Sequence, residues 1–86
     1  MKQIIFKGKN NTTIKLSFKL LTNDLHQPVL KSSKGNLTTI PLLLDITQIK
    51  STYKKLADLK NESEYDLILL RNIVAGACSM SMKRRS

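Results

Sequence analysis

Apolar and polar side chains alternate along Thr12–Leu21. Ile14, Leu16, Phe18 and Leu20 hold one set of places, and Thr13, Lys15, Ser17 and Lys19 hold the other. Successive side chains of a strand point to opposite faces, so this period of two predicts a strand with one apolar and one wet face. Thr22–Asn23–Asp24 is turn-forming, because Asn and Asp side chains bond their own backbone and tolerate tight geometry. Pro28–Ser33 predicts a second strand, with Val29 and Lys31 on one side and Leu30 and Ser32 on the other. Lys34–Gly35–Asn36 predicts a hairpin turn, since glycine is free to take positive φ. Leu37–Leu43 predicts a third strand, at whose edge or end Pro41, lacking an N–H, is tolerated. The links are short, so residues 12–43 read as an antiparallel meander. Residues 1–11 stay open: Ile4, Ile5 and Phe6 fit either the last turn of a helix or a short strand, with Gly8 as a stop signal.

The period then changes. Asp45 can cap a helix, Gln48 stands three residues on as its capping-box partner, and Leu44 can pack on Ile49 as a hydrophobic staple. Ile46, Ile49, Tyr53, Leu56 and Leu59 follow at spacings of three or four, while Lys50, Lys54, Lys55 and Lys60 lie off that stripe. This predicts a helix over 45–60. Ser63 is the expected cap of a second helix, spanning 63–80, with Glu64 and Asp66 in its first turn, where negative charge suits the helix dipole. Its body, Tyr65–Met80, is apolar on most sides and is therefore either buried between elements or waiting for a partner. Residues 82–86 read as a basic tail. The predicted fold class is α+β: one domain over 1–86, with a three-stranded antiparallel sheet and helices on its apolar face.

Charge sharpens this picture. The chain of 86 residues carries 15 basic and 6 acidic side chains, a formal net charge of +9. Such an excess favours nucleic acid or an anionic membrane surface as a partner and does not bear on the fold. It is unevenly spread. Residues 1–34 hold one acid, Asp24, whereas the segment 35–66 is nearly balanced and 67–86 holds no acid. Cys78 is the single cysteine, which excludes an intramolecular disulfide and argues against a zinc cluster. No long apolar run follows Lys2, so no signal peptide is read. The Asn-x-Ser/Thr matches beginning at Asn10, Asn11, Asn36 and Asn61 reflect composition rather than glycosylation sites. Leu67–Cys78 is too short to span a bilayer, which needs about 20 apolar residues. These features predict a cytosolic or nuclear protein.

Catalytic chemistry is poorly supplied. His26 is the one histidine and is expected in a solvated turn; Cys78 is expected to behave as a small buried hydrophobe. Gly8, Gly35 and Gly76 stand too far apart for a phosphate-cradling loop. The chain is expected to be a non-enzyme with no metal or cofactor. A basic patch is better supported. Lys15 and Lys19 share a strand face, Lys31 lies on the neighbouring strand about 4.8 Å away, and Lys34 stands in the adjoining turn. Lys15, Lys19, Lys31 and Lys34 are thus the candidate nucleic-acid contacts, reading backbone and shape rather than splayed bases. The alternative from another class is a protein-interaction module whose Tyr65–Met80 helix docks on a partner while the lysines serve solubility. A weaker one is a membrane-surface binder using that helix and its basic end.

The order strand, strand, turn, strand and capped helix resembles the Alu-domain proteins of the signal recognition particle, the fourteen-kilodalton subunit family. TTIKLSFKLL is similar to that family's first strand and PVLKSSKG to its second strand and turn. LTTIPLLLDITQIKSTYKKL is similar to its third strand and long helix, the helix stripe being Ile46, Ile49, Tyr53 and Leu56 here. The likeness is of pattern and covers roughly residues 12–60. It implies a cytoplasmic RNA-binding subunit that pairs with a smaller, similarly folded subunit. It also implies binding to the Alu portion of the particle's RNA on the joined sheets, and a part in elongation arrest on the ribosome. By position, Lys15, Lys19 and Lys31 match the RNA-facing strands, and Lys34 and Gly35 the following turn. Three departures stand out: no full N-terminal helix precedes the first strand, the first two strands lack a long basic loop, and an apolar segment follows the long helix.

Overall fold

The computed structural model describes residues 3–82, with side chains described through residue 78. Four strands form one antiparallel sheet in sequence order: β1 (Ile4–Lys7), β2 (Thr13–Thr22), β3 (Leu25–Ser32) and β4 (Leu37–Thr39). Helix α1 (Ile46–Ala57), a single 3₁₀ turn (Leu59–Asn61) and helix α2 (Leu67–Met82) follow. The fold is α+β, with two helices against a four-stranded sheet. The expected three strands are thus one too few. Ile4–Lys7 is a strand, not a helix end, because Ile4 and Phe6 supply an apolar alternation that continues the buried rows of β2: Ile4 pairs with Leu16 and Phe6 with Ile14.

Local chemistry accounts for the turns. Asn10 and Asn11 both take positive φ between β1 and β2, and Asn23 and Asp24 do so between β2 and β3. Two successive left-handed residues match the right-handed twist of a hairpin, and Asn and Asp accept that conformation more readily than other side chains with a Cβ. The third turn places Gly35 at φ 97, where its N–H donates to the Ser32 carbonyl. Lys34 N–H is held by Ser32 Oγ at 3.0 Å.

β4 ends at Thr39 rather than running to Leu43. Proline is the reason. Pro41 has no N–H for the ladder, and the chain bends there before Leu44 rejoins the sheet by exchanging both backbone hydrogen bonds with His26, each at 2.8 Å. Pro28 is tolerated within β3 for a related reason. Its carbonyl points toward β4 and accepts from Ile40 N–H at 3.0 Å, so its missing N–H lies on that same side, where β4 gives out. His26, expected in a loop, is half-buried within β3.

The core lies on one side of the sheet. Ile4, Phe6, Ile14, Leu16, Phe18 and Leu30 meet Ile49 and Leu56 of α1 and Leu70, Val74, Ala77 and Cys78 of α2. Each fully buried aliphatic side chain contributes about 1.5–3 kcal/mol. Leu20 departs from the expected apolar face and is 58% exposed. It stands opposite His26 near the hairpin tip, where the register shifts between Leu20 and Thr22 and no helix covers it among the described residues.

Asp45 caps α1 with the full capping box. Its carboxylate accepts from Gln48 N–H, and Gln48 Oε1 accepts from Asp45 N–H, both at 2.9 Å. Lys54 and Lys55 in the last turn suit the dipole. The helix stops at Ala57, short of Lys60, and Leu59 reaches the core from the 3₁₀ turn instead. α2 is capped by Asp66, not Ser63: Leu69 N–H donates to Asp66 Oδ1 at 2.6 Å. The delay comes from Tyr65. Its N–H donates to the Lys7 carbonyl at 2.9 Å and its carbonyl accepts from Lys9 N–H at 3.1 Å, holding this residue extended beside β1. The Tyr65 hydroxyl donates to the Leu59 carbonyl at 2.8 Å, and its ring packs edge-on against Phe6. α2 is not buried all round. Leu70, Val74, Ala77 and Cys78 face inward, while Ile68 is 75% and Leu69 45% exposed. The expected basic tail, residues 82–86, lies outside the described residues save for Met82 at the end of α2.

Candidate nucleic-acid interface

With the helices on one face, the opposite face of the sheet is open. Alternation sends Ile5 and Lys7 from β1, Thr13, Lys15, Ser17 and Lys19 from β2, and Gln27, Val29 and Lys31 from β3 to this side. Register then decides who meets whom. Lys15 stands directly opposite Lys31, with Ile5 beyond Lys15 on β1 and Leu37 beyond Lys31 on β4. Two residues along, Ser33 N–H donates to the Thr13 carbonyl at 2.8 Å, so by alternation, with Ile14–Ser32 between them, Lys15–Lys31 is also a hydrogen-bonded pair. Such pairs set Cα atoms about 5.5 Å apart.

Two like charges facing one another on a sheet are destabilising, and the strands carry no carboxylate to offset them. Asp24 is in the hairpin turn, Asp45 caps α1, and Asp58, Glu62, Glu64 and Asp66 lie between the helices. A shallow cleft of about 240 Å³ lies at this end of the sheet, lined by Thr13, Lys15, Lys31, Ser32, Ser33 and Gly35. It combines two ammonium groups with hydroxyl groups, a donor set suited to phosphate oxygens.

The four lysines expected from the sequence are therefore not equivalent. Lys15 and Lys31 come together. Lys19 shares their face but stands beside Gln27, four residues along β2 from Lys15, or about 13 Å at strand rise. Lys34 is exposed in the β3–β4 turn and lines a separate hollow with Lys9 and Asp66. Lys9 there lies 3.8 Å from the Asp66 carboxylate. Lys7, which the sequence left unassigned, joins the open face opposite Thr13. Its signal was the alternation Ile4–Ile5–Phe6–Lys7, legible only once that segment is known to be a strand.

None of the four aromatic side chains stands on the open face: Phe6 packs against Tyr65 and Phe18 against Tyr53 on the core side. The face offers charge and hydroxyl groups without a stacking platform. Among the described residues no three His, Cys, Asp or Glu side chains gather as a metal site, and no helix is long and apolar enough to cross a membrane. Burial pushes the Cys78 thiol up despite a Thr52 hydrogen bond and nearby Lys55, which act the other way. A thiol so held is protonated and poorly nucleophilic.

Compared with protein-family models, curated proteins and solved structures, the chain finds no match.

Proposed function

We propose that this chain binds structured RNA through its open sheet face, with Lys15 and Lys31 on adjacent backbone phosphates. The observation that carries this reading is the direct pairing of Lys15 with Lys31 in a cleft bearing Thr13 and Ser33 and no acid. An anionic backbone relieves the repulsion that the bare sheet must bear. Lys7 and Lys19 extend the binding surface along the face, while Lys34 borders a separate hollow beside the turn. The absence of aromatic side chains there favours recognition of shape, phosphate and 2′-hydroxyl groups over stacking on bases.

The narrower setting rests on the family resemblance. It is an Alu-type signal recognition particle, in which the chain pairs with a smaller, similarly folded subunit in the cytoplasm and takes part in elongation arrest. β1 stands where that family has an N-terminal helix, which weighs against this setting without touching the phosphate chemistry. No catalytic step and no cofactor is part of this reading.

The decisive experiment titrates an Alu-domain RNA and an unrelated folded RNA across salt with the wild type and Lys15→Glu/Lys31→Glu. Removing one lysine from a phosphate flattens the salt slope by about 0.7–0.9 units. An unchanged affinity and slope in the double variant sinks the proposal; equal affinity for both RNAs removes the Alu setting alone. A second reading, docking of α2 on a protein partner, is favoured by the exposure of Ile68 and Leu69. A tight protein complex with no RNA binding at physiological salt would replace the first reading with it.

A further inference from the structure

A groove of about 650 Å³ runs along the seam between the start of β1 and helix α1, away from the open sheet face. Ile4, Ile46, Tyr53 and Ala57 give it an apolar lining, Lys50 and Lys60 give it charge, and no acid lines it. Its volume is in the range of pockets that enclose a ligand. α1 is 12 residues long, about 18 Å, which matches five or six residues of extended chain.

The edge of β1 beside the groove is already covered. Lys7 and Lys9 turn their backbone groups outward, where Tyr65 bonds them. By alternation Ile5 turns its N–H and carbonyl to the same side, where the 3₁₀ turn Leu59–Asn61 packs along β1. The Tyr53 hydroxyl is buried and has no hydrogen-bond partner among the described residues. Neither this covered edge nor the buried hydroxyl is open to a docked chain, so the groove itself supplies the binding surface.

Charge selects the occupant. A second copy of this chain carries +9 and would meet Lys50 and Lys60 with like charge. We infer that the groove docks an extended acidic peptide segment of another protein. The peptide seats one apolar side chain against Ile4, Ile46 and Tyr53 and meets Lys50 and Lys60 with its carboxylates. This site is independent of Lys15 and Lys31.

The test is fluorescence anisotropy of the full chain with a labelled heptapeptide, a central leucine flanked by aspartates. Saturable binding is expected. It should weaken by about tenfold or more in Lys50→Glu/Lys60→Glu as charge complementarity turns to repulsion, and vanish in Ala57→Trp, which fills the groove. If that variant fails to fold, the peptide with serine for leucine serves instead and should bind about tenfold or more weakly for want of apolar burial. Lys15→Glu/Lys31→Glu should leave peptide binding within about threefold, since that pair is screened at physiological salt. No saturable binding, equal binding of a lysine-flanked peptide, or indifference to both the filled groove and the serine peptide would overturn the inference. A dimer without peptide that Ala57→Trp abolishes would also overturn it and assign the groove to a second copy.

Discussion

Lys15 on β2 faces Lys31 on β3 as a direct cross-strand pair on a sheet face whose strands carry no acid. Stability and binding therefore pull in opposite directions at this pair. Lys31→Glu makes an opposite-charge pair with Lys15 and should stabilise the free protein by about 0.2–1 kcal/mol. The same change should weaken RNA binding and flatten its salt slope. Lys19→Glu, without a lysine opposite, should weaken binding less and gain no comparable stability. Urea melts read beside RNA titrations across salt check both expectations, and parallel changes in stability and affinity would contradict them.

Tyr65 ties the linker between the helices to β1 by two backbone hydrogen bonds, a hydroxyl bond to Leu59 and an edge-on contact with Phe6. Tyr65→Phe keeps the ring and should cost about 1 kcal/mol, the net worth of one hydrogen bond. Tyr65→Ala should cost about 3–5 kcal/mol, as for other large aromatic truncations. That is a large share of what holds a domain of this size. Chemical denaturation of the two variants gives the comparison; near-equal losses would show that the ring packing contributes little.

The capping box at the start of α1 offers a cleaner test, because Asp45 is exposed and touches little else. Asp45→Ala should cost about 0.5–2 kcal/mol. In a domain of this size each kcal/mol lowers Tm by about 4–8 °C. Asp45→Asn retains an acceptor and should recover most of the loss. Thermal melts followed by circular dichroism decide this.

Alkaline pH should weaken the fold in a defined window. Burial raises Cys78 above its ordinary 9.0 and Tyr53 above its ordinary 10.0. Above those values the unfolded chain releases protons that the native state keeps, so the unfolded state binds fewer protons and stability falls with rising pH. Their contribution is fully present below the unfolded values and is lost as pH rises through the folded ones. The slope of urea midpoint against pH should be shallower in Tyr53→Phe above pH 10.0 and in Cys78→Ala above pH 9.0. Slopes unchanged in both variants would remove these groups as the cause.

Much of the local structure was legible because short-range chemistry specifies it. The alternation of Thr12–Leu21 predicted a strand, and β2 spans Thr13–Thr22. Asp45 and Gln48 announced the start of α1, and both capping bonds are present. Other readings failed where a distant contact outweighed a local signal. Ser63 has a good cap residue's side chain, yet Tyr65 is claimed by β1 and Asp66 caps instead. Leu20 has the right period but no cover. Leu59 belongs to the α1 stripe by spacing but reaches the core from a separate turn.

The candidate site shows the same division. Alternation alone puts Lys15, Lys19 and Lys31 on a polar strand face, because the side-chain period of two depends only on local backbone geometry. It takes the assembled sheet to set Lys15 against Lys31, to hold Lys19 apart, to bring Lys7 in from β1 and to leave Lys34 at another hollow. Register is a relation between strands, set by turn geometry and by which apolar rows the helices bury. A pattern of four residues such as Ile4–Lys7 is too short to declare itself strand or helix. Pairing with β2 makes it a strand, and that pairing exists only in the folded chain.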